Sequence, residues 1–194
     1  SDEICYGNVR LQPVIFQDDI LRLSDSLASA RVGHVKLNAV MGQKKLKFNS
    51  EKTGFILMGE EIAKNRNRLL IKRSPVKCGD FEVIEKLSDK YLGDVFHEDG
   101  LAASVRATVK DRQGKVKAAI LEAAAIVEDL RSQCVGGFMA AVDLWELAII
   151  PTLLYNASTW TEVDDETIEI LEELQLFFLR MILRVPVSTP KAAL

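Results

Sequence analysis

Phe16-Gln17-Asp18-Asp19 is the run in this 194-residue chain whose residue types could do chemistry. Two adjacent carboxylates sit between apolar, β-branched stretches, VRLQPVIF before them and Ile20 to Leu23 after. Such a pair is costly unless solvent or a cation balances its charge. Mg²⁺ meets that need with hard oxygen ligands: it takes one or two protein carboxylates and completes its shell with waters and substrate phosphates. Two such ions together stabilise the attacking and leaving oxygens of an in-line phosphoryl displacement. The same four residues also make ordinary turn chemistry, because Asp bonds its own backbone in tight turns. Alone, they leave both readings open.

Charge is segregated along the chain. Gly42 to Lys77 holds ten Lys/Arg against three Asp/Glu, whereas Glu128 to Glu173 holds one Arg against eleven acids. The first block includes Lys44, Lys45, Lys64, Arg66, Arg68, Lys72 and Arg73. A surface of this kind binds nucleic acid by releasing counterions from the phosphate backbone, although a solvated helix face has the same composition. A second basic cluster, Arg106, Lys110, Arg112, Lys115 and Lys117, follows further on. Cys5, Cys78 and Cys134 form no CxxC pair, which argues against a disulfide framework or zinc site and suits an intracellular compartment, nuclear or cytoplasmic. His34 and His97 have no nearby Cys or His partners, so they read as surface or core residues rather than metal ligands. The most apolar stretch, Leu147 to Tyr155, is too short to span a bilayer, so no membrane partner is expected.

The elements that must position these residues change character near Gly100. Before it, Val9 to Phe16 and Ile20 to Leu23 read as a hairpin with the acids at its tip, and Ser24 or Asp25 can cap a following helix. Leu27, Ala30, Val35, Leu37, Val40 and Met41 supply that helix with an imperfect apolar stripe. Leu46 to Phe48 and Phe55 to Met58 read as short strands around the loop NSEKTG, and Glu60 to Lys72 as a basic helix. Phe81 to Ile84 and Tyr91 to Phe96 read as a second hairpin, turning at LSDK. After Gly100 the pattern is helical, in segments of about 101–134, 138–157 and 165–184. Gly136-Gly137 separate the first two, and Pro151 should kink or end the second because it lacks a backbone donor. The fold class is therefore α+β.

Four blocks in succession resemble reverse transcriptases of non-LTR (LINE-like) retrotransposons. LQPVIFQDDILRLSDS resembles their F/Y-x-D-D box, and KLKFNSEKTGFILMG their N-x-x-K-[TS] loop. KYLGDVFHEDG is similar to the primer-grip hairpin with its Y-L-G core. IIPTLLYNASTW followed by LEELQLFFLRMILRVPVSTPKAAL resembles the thumb, which often reads P-x-L-L-Y-G-x-x-x-W and ends in V-P-x-x-T-P. Order and spacing agree from about Val9 to Leu194. Gln17 replaces a commoner alanine, and Asn156 a frequent glycine.

The resemblance implies the C-terminal half of a polymerase palm over residues 1–100 and a helical-bundle thumb over 101–194. It implies an RNA-directed DNA polymerase using two Mg²⁺ ions, an RNA template, a DNA primer and dNTPs. Asp18 would be the main metal ligand and Asp19 an added charge or second contact. Lys52 would stand near the incoming nucleotide's phosphates, and Tyr91, Leu92 and Gly93 would shape the primer grip. The family's fingers, its nucleotide-selecting segment and its earlier metal-binding aspartate are expected N-terminal to Gly7 and do not occur in this sequence. The chain is therefore expected to be inactive alone. A rival reading is a non-catalytic, retroelement-derived nucleic-acid-binding or scaffold protein carried by the two basic clusters.

Overall fold

The computed structural model describes residues 5–6, 9–10, 13–16, 19–49, 51–58, 76–78, 81–132 and 136–194. The chain divides into two compact units, Ser1–Leu92 with His97–Asp99, and Gly93–Phe96 with Gly100–Leu194.

The first unit mixes small sheets with one described helix. β1 (Cys5–Tyr6) and β2 (Val9–Arg10) pair antiparallel, as do β3 (Val14–Phe16) and β4 (Asp19–Leu21). The single expected strand from Val9 to Phe16 is thus two. Pro13 lies just before β3, where its missing N–H cannot join a ladder. Helix α1 (Leu27–Gln43) starts one residue later than the caps expected from sequence: Ser26 is the N-cap, its hydroxyl accepting from the Ser29 N–H at 3.2 Å. α1 ends in a left-handed Lys45 (φ 58°), with Lys45 N–H donating to Gly42 O and Leu46 N–H to Met41 O. This pattern satisfies carbonyls that have no donor further along the helix. The imperfect apolar stripe of α1 leaves Val35 and Val40 exposed, and of its described side positions only Gly33 is buried.

β5 (Gly54–Phe55), β6 (Val76–Cys78) and β7 (Phe81–Glu85) form a sheet in the order β5-β7-β6, the first pair parallel and the second antiparallel. Residues 46–48, expected to be a strand, have no regular structure. The second hairpin is shifted relative to its sequence reading. LSDK is not its turn: β8 (Ser88–Tyr91) contains most of it and pairs with β9 (Asp94–His97). The turn is Leu92-Gly93, both with positive φ (49° and 90°). Two positive φ values match the right-handed strand twist of a two-residue hairpin, and Gly93 supplies one at no steric cost.

The second unit is helical. α2 (Leu101–Ser132) is followed by α3 (Gly137–Leu144), a π-helical turn (Trp145–Ile149), α4 (Ile150–Leu153) and α5 (Asp165–Leu183). The π-turn explains what Pro151 does. Ile150 N–H reaches back five residues to Trp145 O, and the widened turn takes up the break before a residue with no N–H. In α2, Val109, Val116, Ile120, Ala123 and Val127 recur every three, four or seven residues, so they share one face. They pack with Ile170, Leu174, Phe178 and Ile182 of α5 and with Ala141, Ile149 and Leu153. Trp145 stacks on Phe178 with ring centroids 4.5 Å apart. Each fully buried large aliphatic here contributes roughly 1.5–3 kcal/mol relative to exposure.

Asp164 caps α5. One carboxylate oxygen accepts from the backbone N–H of Thr167 at 2.8 Å and from its buried hydroxyl at 2.5 Å. Those two bonds hold the Asp164 carboxyl below the ordinary aspartate range, helped by Arg106.

Candidate functional site

The acidic run occupies the end of the β3–β4 hairpin. Val14 faces Leu21, Ile15 faces Ile20 and Phe16 faces Asp19 across the strands, so only Gln17 and Asp18 connect them. Asp18 lies outside the described residues, as do Lys64, Arg66, Arg68, Lys72 and Arg73 and the basic stretch expected to be helical. Asp19 is the first residue of β4 and is exposed. An exposed carboxylate next to a turn is chemically suited to a hard cation, which prefers oxygen donors and keeps much of its water. Among the described residues no three His, Cys, Asp or Glu side chains cluster around one point.

The NSEKTG loop is folded on its own asparagine. The Asn49 side-chain oxygen accepts from Glu51 N–H at 3.0 Å and Lys52 N–H at 3.2 Å, while the Thr53 hydroxyl donates to Asn49 O at 2.8 Å. This is the local turn chemistry that Asn and Thr provide. It orders the backbone under Lys52 and leaves that side chain exposed.

Within the first unit, the segment just before KYLGDVFHEDG meets the NSEKTG loop, and Tyr91 meets the strand before the acidic turn. Lys86 Nζ donates to Lys52 O at 2.8 Å and pairs with Asp89 at the same distance. Lys86 N–H also donates to Phe55 O at 2.9 Å. Gly54 makes room for the lysine stem, since a Cβ there would fall 2.6 Å from Lys86 Cε. Finally, the Tyr91 hydroxyl donates to the carbonyl of Val14 at 3.2 Å. Tyr91 thus touches the strand that carries the acidic turn, from 77 residues away in sequence. Lys86 was not singled out in the sequence; only its place between two strand-like runs could have marked it.

Lys44 and Lys45 stand exposed at the C-terminal end of α1. Their backbone N–H groups close the helix on the carbonyls of Val40, Met41 and Gly42. His34, part-buried and packed 5.0 Å from the Phe48 ring, has its pKa lowered by burial and by the nearby Arg22.

The cations of α2 behave differently from those of a free phosphate-binding face. Arg106 bonds Glu166 and lies 3.1 Å from Asp164, and Lys110 lies 2.6 Å from Glu166. Those contacts depress the Glu166 carboxyl pKa, Lys110 foremost. Arg112 requires a correction. Placed among the nucleic-acid contacts by its charge, it is 6% exposed, and its guanidinium is fully engaged inside the second unit. It donates to Leu153 O (3.2 Å), Tyr155 O (2.6 Å) and Gly93 O (2.9 Å), and pairs with Asp94 at 2.7 Å. It also lies 5.7 Å from the Tyr155 ring centre. Asn156, left-handed at φ 59°, donates to the other Asp94 oxygen at 3.1 Å. Left-handed backbone is available to Asn at little steric cost, which suits asparagine to this position. Gly93, Asp94, Arg112, Tyr155 and Asn156 therefore form one polar cluster, of which the sequence marked some members but not their association.

No helix among the described residues is long and apolar enough to cross a membrane. No family model, curated protein or solved structure matches the chain.

Proposed function

We propose that this chain is part of an RNA-directed DNA polymerase, supplying one side of a nucleotidyl-transfer site and a helical thumb. The observation that carries the reading is the β3–β4 hairpin. It sets an exposed Asp19 at its end, next to Asp18 in sequence, and is braced by the Tyr91 hydroxyl on Val14 O.

Asp18 and Asp19 would hold Mg²⁺, which when bound supplies the charge that stabilises the oxygens of the displacement. Lys52, exposed on its asparagine-folded loop, would neutralise or protonate the leaving pyrophosphate of a dNTP, a use suited to a mobile point charge. The Tyr91-Leu92-Gly93 turn would lie against the primer strand, whose 3′-OH attacks the dNTP while an RNA template pairs with it. Two carboxylates are fewer than such a site needs, so the remaining ligands and the fingers would come from polypeptide outside these 194 residues. The chain alone would be inactive.

The rival scaffold reading loses part of its surface, because Arg106, Lys110 and Arg112 are engaged by this chain's own acids and carbonyls. Paramagnetic line broadening decides the metal side. Mn²⁺ added with a dNTP should broaden the amide signals of Phe16, Asp19 and Ile20 selectively, and Asp18→Asn with Asp19→Asn should abolish the effect. Uniform broadening, or none at the hairpin, would sink the polymerase reading. Salt-dependent binding of an RNA–DNA duplex that is lost on charge reversal at Arg66, Arg68, Lys72 and Arg73 but unchanged by Asp18→Ala would favour the scaffold.

A further inference from the structure

The second unit carries an apolar groove on its outside that the proposed chemistry does not use. Its α2 wall is Ala119, Glu122, Ala123 and Ile126, spaced so that they share one side of the helix. Its other wall is Leu144, Ala148 and Ile149 at the π-turn. The half-open depression has a volume of about 130 Å³, enough for one or two aliphatic side chains. Alanines on both walls leave the floor low, so an approaching backbone can come close. Leu147, on the π-turn beside Ala148, is 79% exposed, and Ile126 is half exposed. A large apolar side chain held as openly as Ile126 in the wall of a depression marks an interaction surface more often than an isolated one does.

The surrounding charge says what would cover it. Between Ala118 and Ile150 the chain holds five acids, Glu122, Glu128, Asp129, Asp143 and Glu146, against the single base Arg131. Arg131 already donates to Ile182 O at 2.7 Å. Glu122 lies in the groove wall itself, and Asp143 is exposed one turn before Leu147. Lys117, two residues before Ala119, is the exposed cation of α2 nearest the groove in sequence, and Lys115 lies one turn before Ala119.

We infer that this groove receives a cationic amphipathic helix of a partner protein, its leucine or isoleucine side chains filling the depression and its lysines or arginines meeting the acids. Helices dock in this way through anchors three or four residues apart, and opposite charge at the rim sets partner choice and approach rate.

An 18-residue Leu/Lys amphipathic peptide and the same peptide with Glu for every Lys serve as probes, titrated into the full chain by calorimetry. The Lys peptide should bind at least tenfold more tightly than the Glu peptide, and its affinity should fall as NaCl is raised. Ala148→Trp, which fills the groove from an exposed position, and Glu122→Lys should each weaken binding tenfold or more with the helical circular dichroism unchanged. Should Ala148→Trp misfold, Glu122→Lys decides alone. Equal binding of both peptides, or tight binding that ignores the substitutions in a folded chain, overturns the inference. So does a dimer in light scattering that Leu147→Asp dissociates, which would give the groove to a second copy of this chain.

Discussion

Replacing Arg112 with methionine keeps much of the side chain's length and removes its charge and all its donors. In the second unit that leaves Asp94, its side chain 20% exposed, with the Asn156 amide still donating to it, and strips a donor from the carbonyls of Gly93, Leu153 and Tyr155. Breaking a buried ion pair from one side costs about 3–5 kcal/mol, because the surviving charge stays desolvated. Domains of this size are stable by only about 5–15 kcal/mol, so the loss is a large fraction of the total. At about 2–4 °C per kcal/mol for chains of this length, the unfolding midpoint should drop by roughly 10 °C. Thermal unfolding followed by far-UV circular dichroism reads that midpoint, and urea unfolding reads the free energy. The double variant Arg112→Met with Asp94→Ala removes the orphaned carboxylate and should be less destabilised than the sum of the two single changes, by about 1–3 kcal/mol. A single-variant loss below about 1 kcal/mol, or strict additivity, would refute the claim that this arginine is a desolvated hub.

Other expectations can be checked in the same way. Asp164→Ala removes the cap of α5 and should cost about 1 kcal/mol by urea unfolding at neutral pH. Because the Asp164 pKa is depressed in the folded chain, that contribution is present above the ordinary aspartate pKa and is lost as pH falls through the folded value, so the gap between the two proteins should close in acid. His34 shifts the same way but is a base: protonation favours the unfolded chain, so its contribution is complete above the ordinary histidine pKa and declines as pH drops below it. A His34→Gln variant should flatten stability between neutral and mildly acidic pH. Phe178→Ala deletes a ring 5% exposed and stacked on Trp145, and should cost about 3–5 kcal/mol by calorimetry. Gly93→Ala forces a side chain into φ +90° with its Cβ 3.4 Å from Tyr155, and should cost about 1–2 kcal/mol.

The helical half is legible in the sequence because periodicity and burial coincide there. The helical segments after Gly100 and the break at Pro151 could be read from the residue pattern alone. What periodicity could not show was the form of the break, a π-turn, since that depends on where displaced carbonyls find donors. The strand half was harder. Strands of two to five residues carry too little alternation to fix their register, so LSDK looked like a turn although Leu92-Gly93 makes it. The signal was present in Gly93, whose freedom at positive φ suits a tight hairpin. Arg112 was misplaced for another reason: in the run RATVKDRQGKVK its charge is one of several, and only the neighbours brought by Asp94 and Tyr155 separate it from them. NSEKTG could be read as a loop between two apolar runs, but not the bonds by which Asn49 folds it.

Val14 and Ile15 are neighbours on β3, so their side chains leave opposite faces of a two-stranded ribbon, yet both are more than half exposed. A ribbon wetted on both sides is marginal in water. Amide protons of Ile15 and Ile20 should therefore exchange far sooner than those of Ile120 or Leu174 in the helical core. Any work asked of the acids at its tip would need their spacing held steady, and this ribbon gains that rigidity only when another layer of polypeptide dries at least one of its faces.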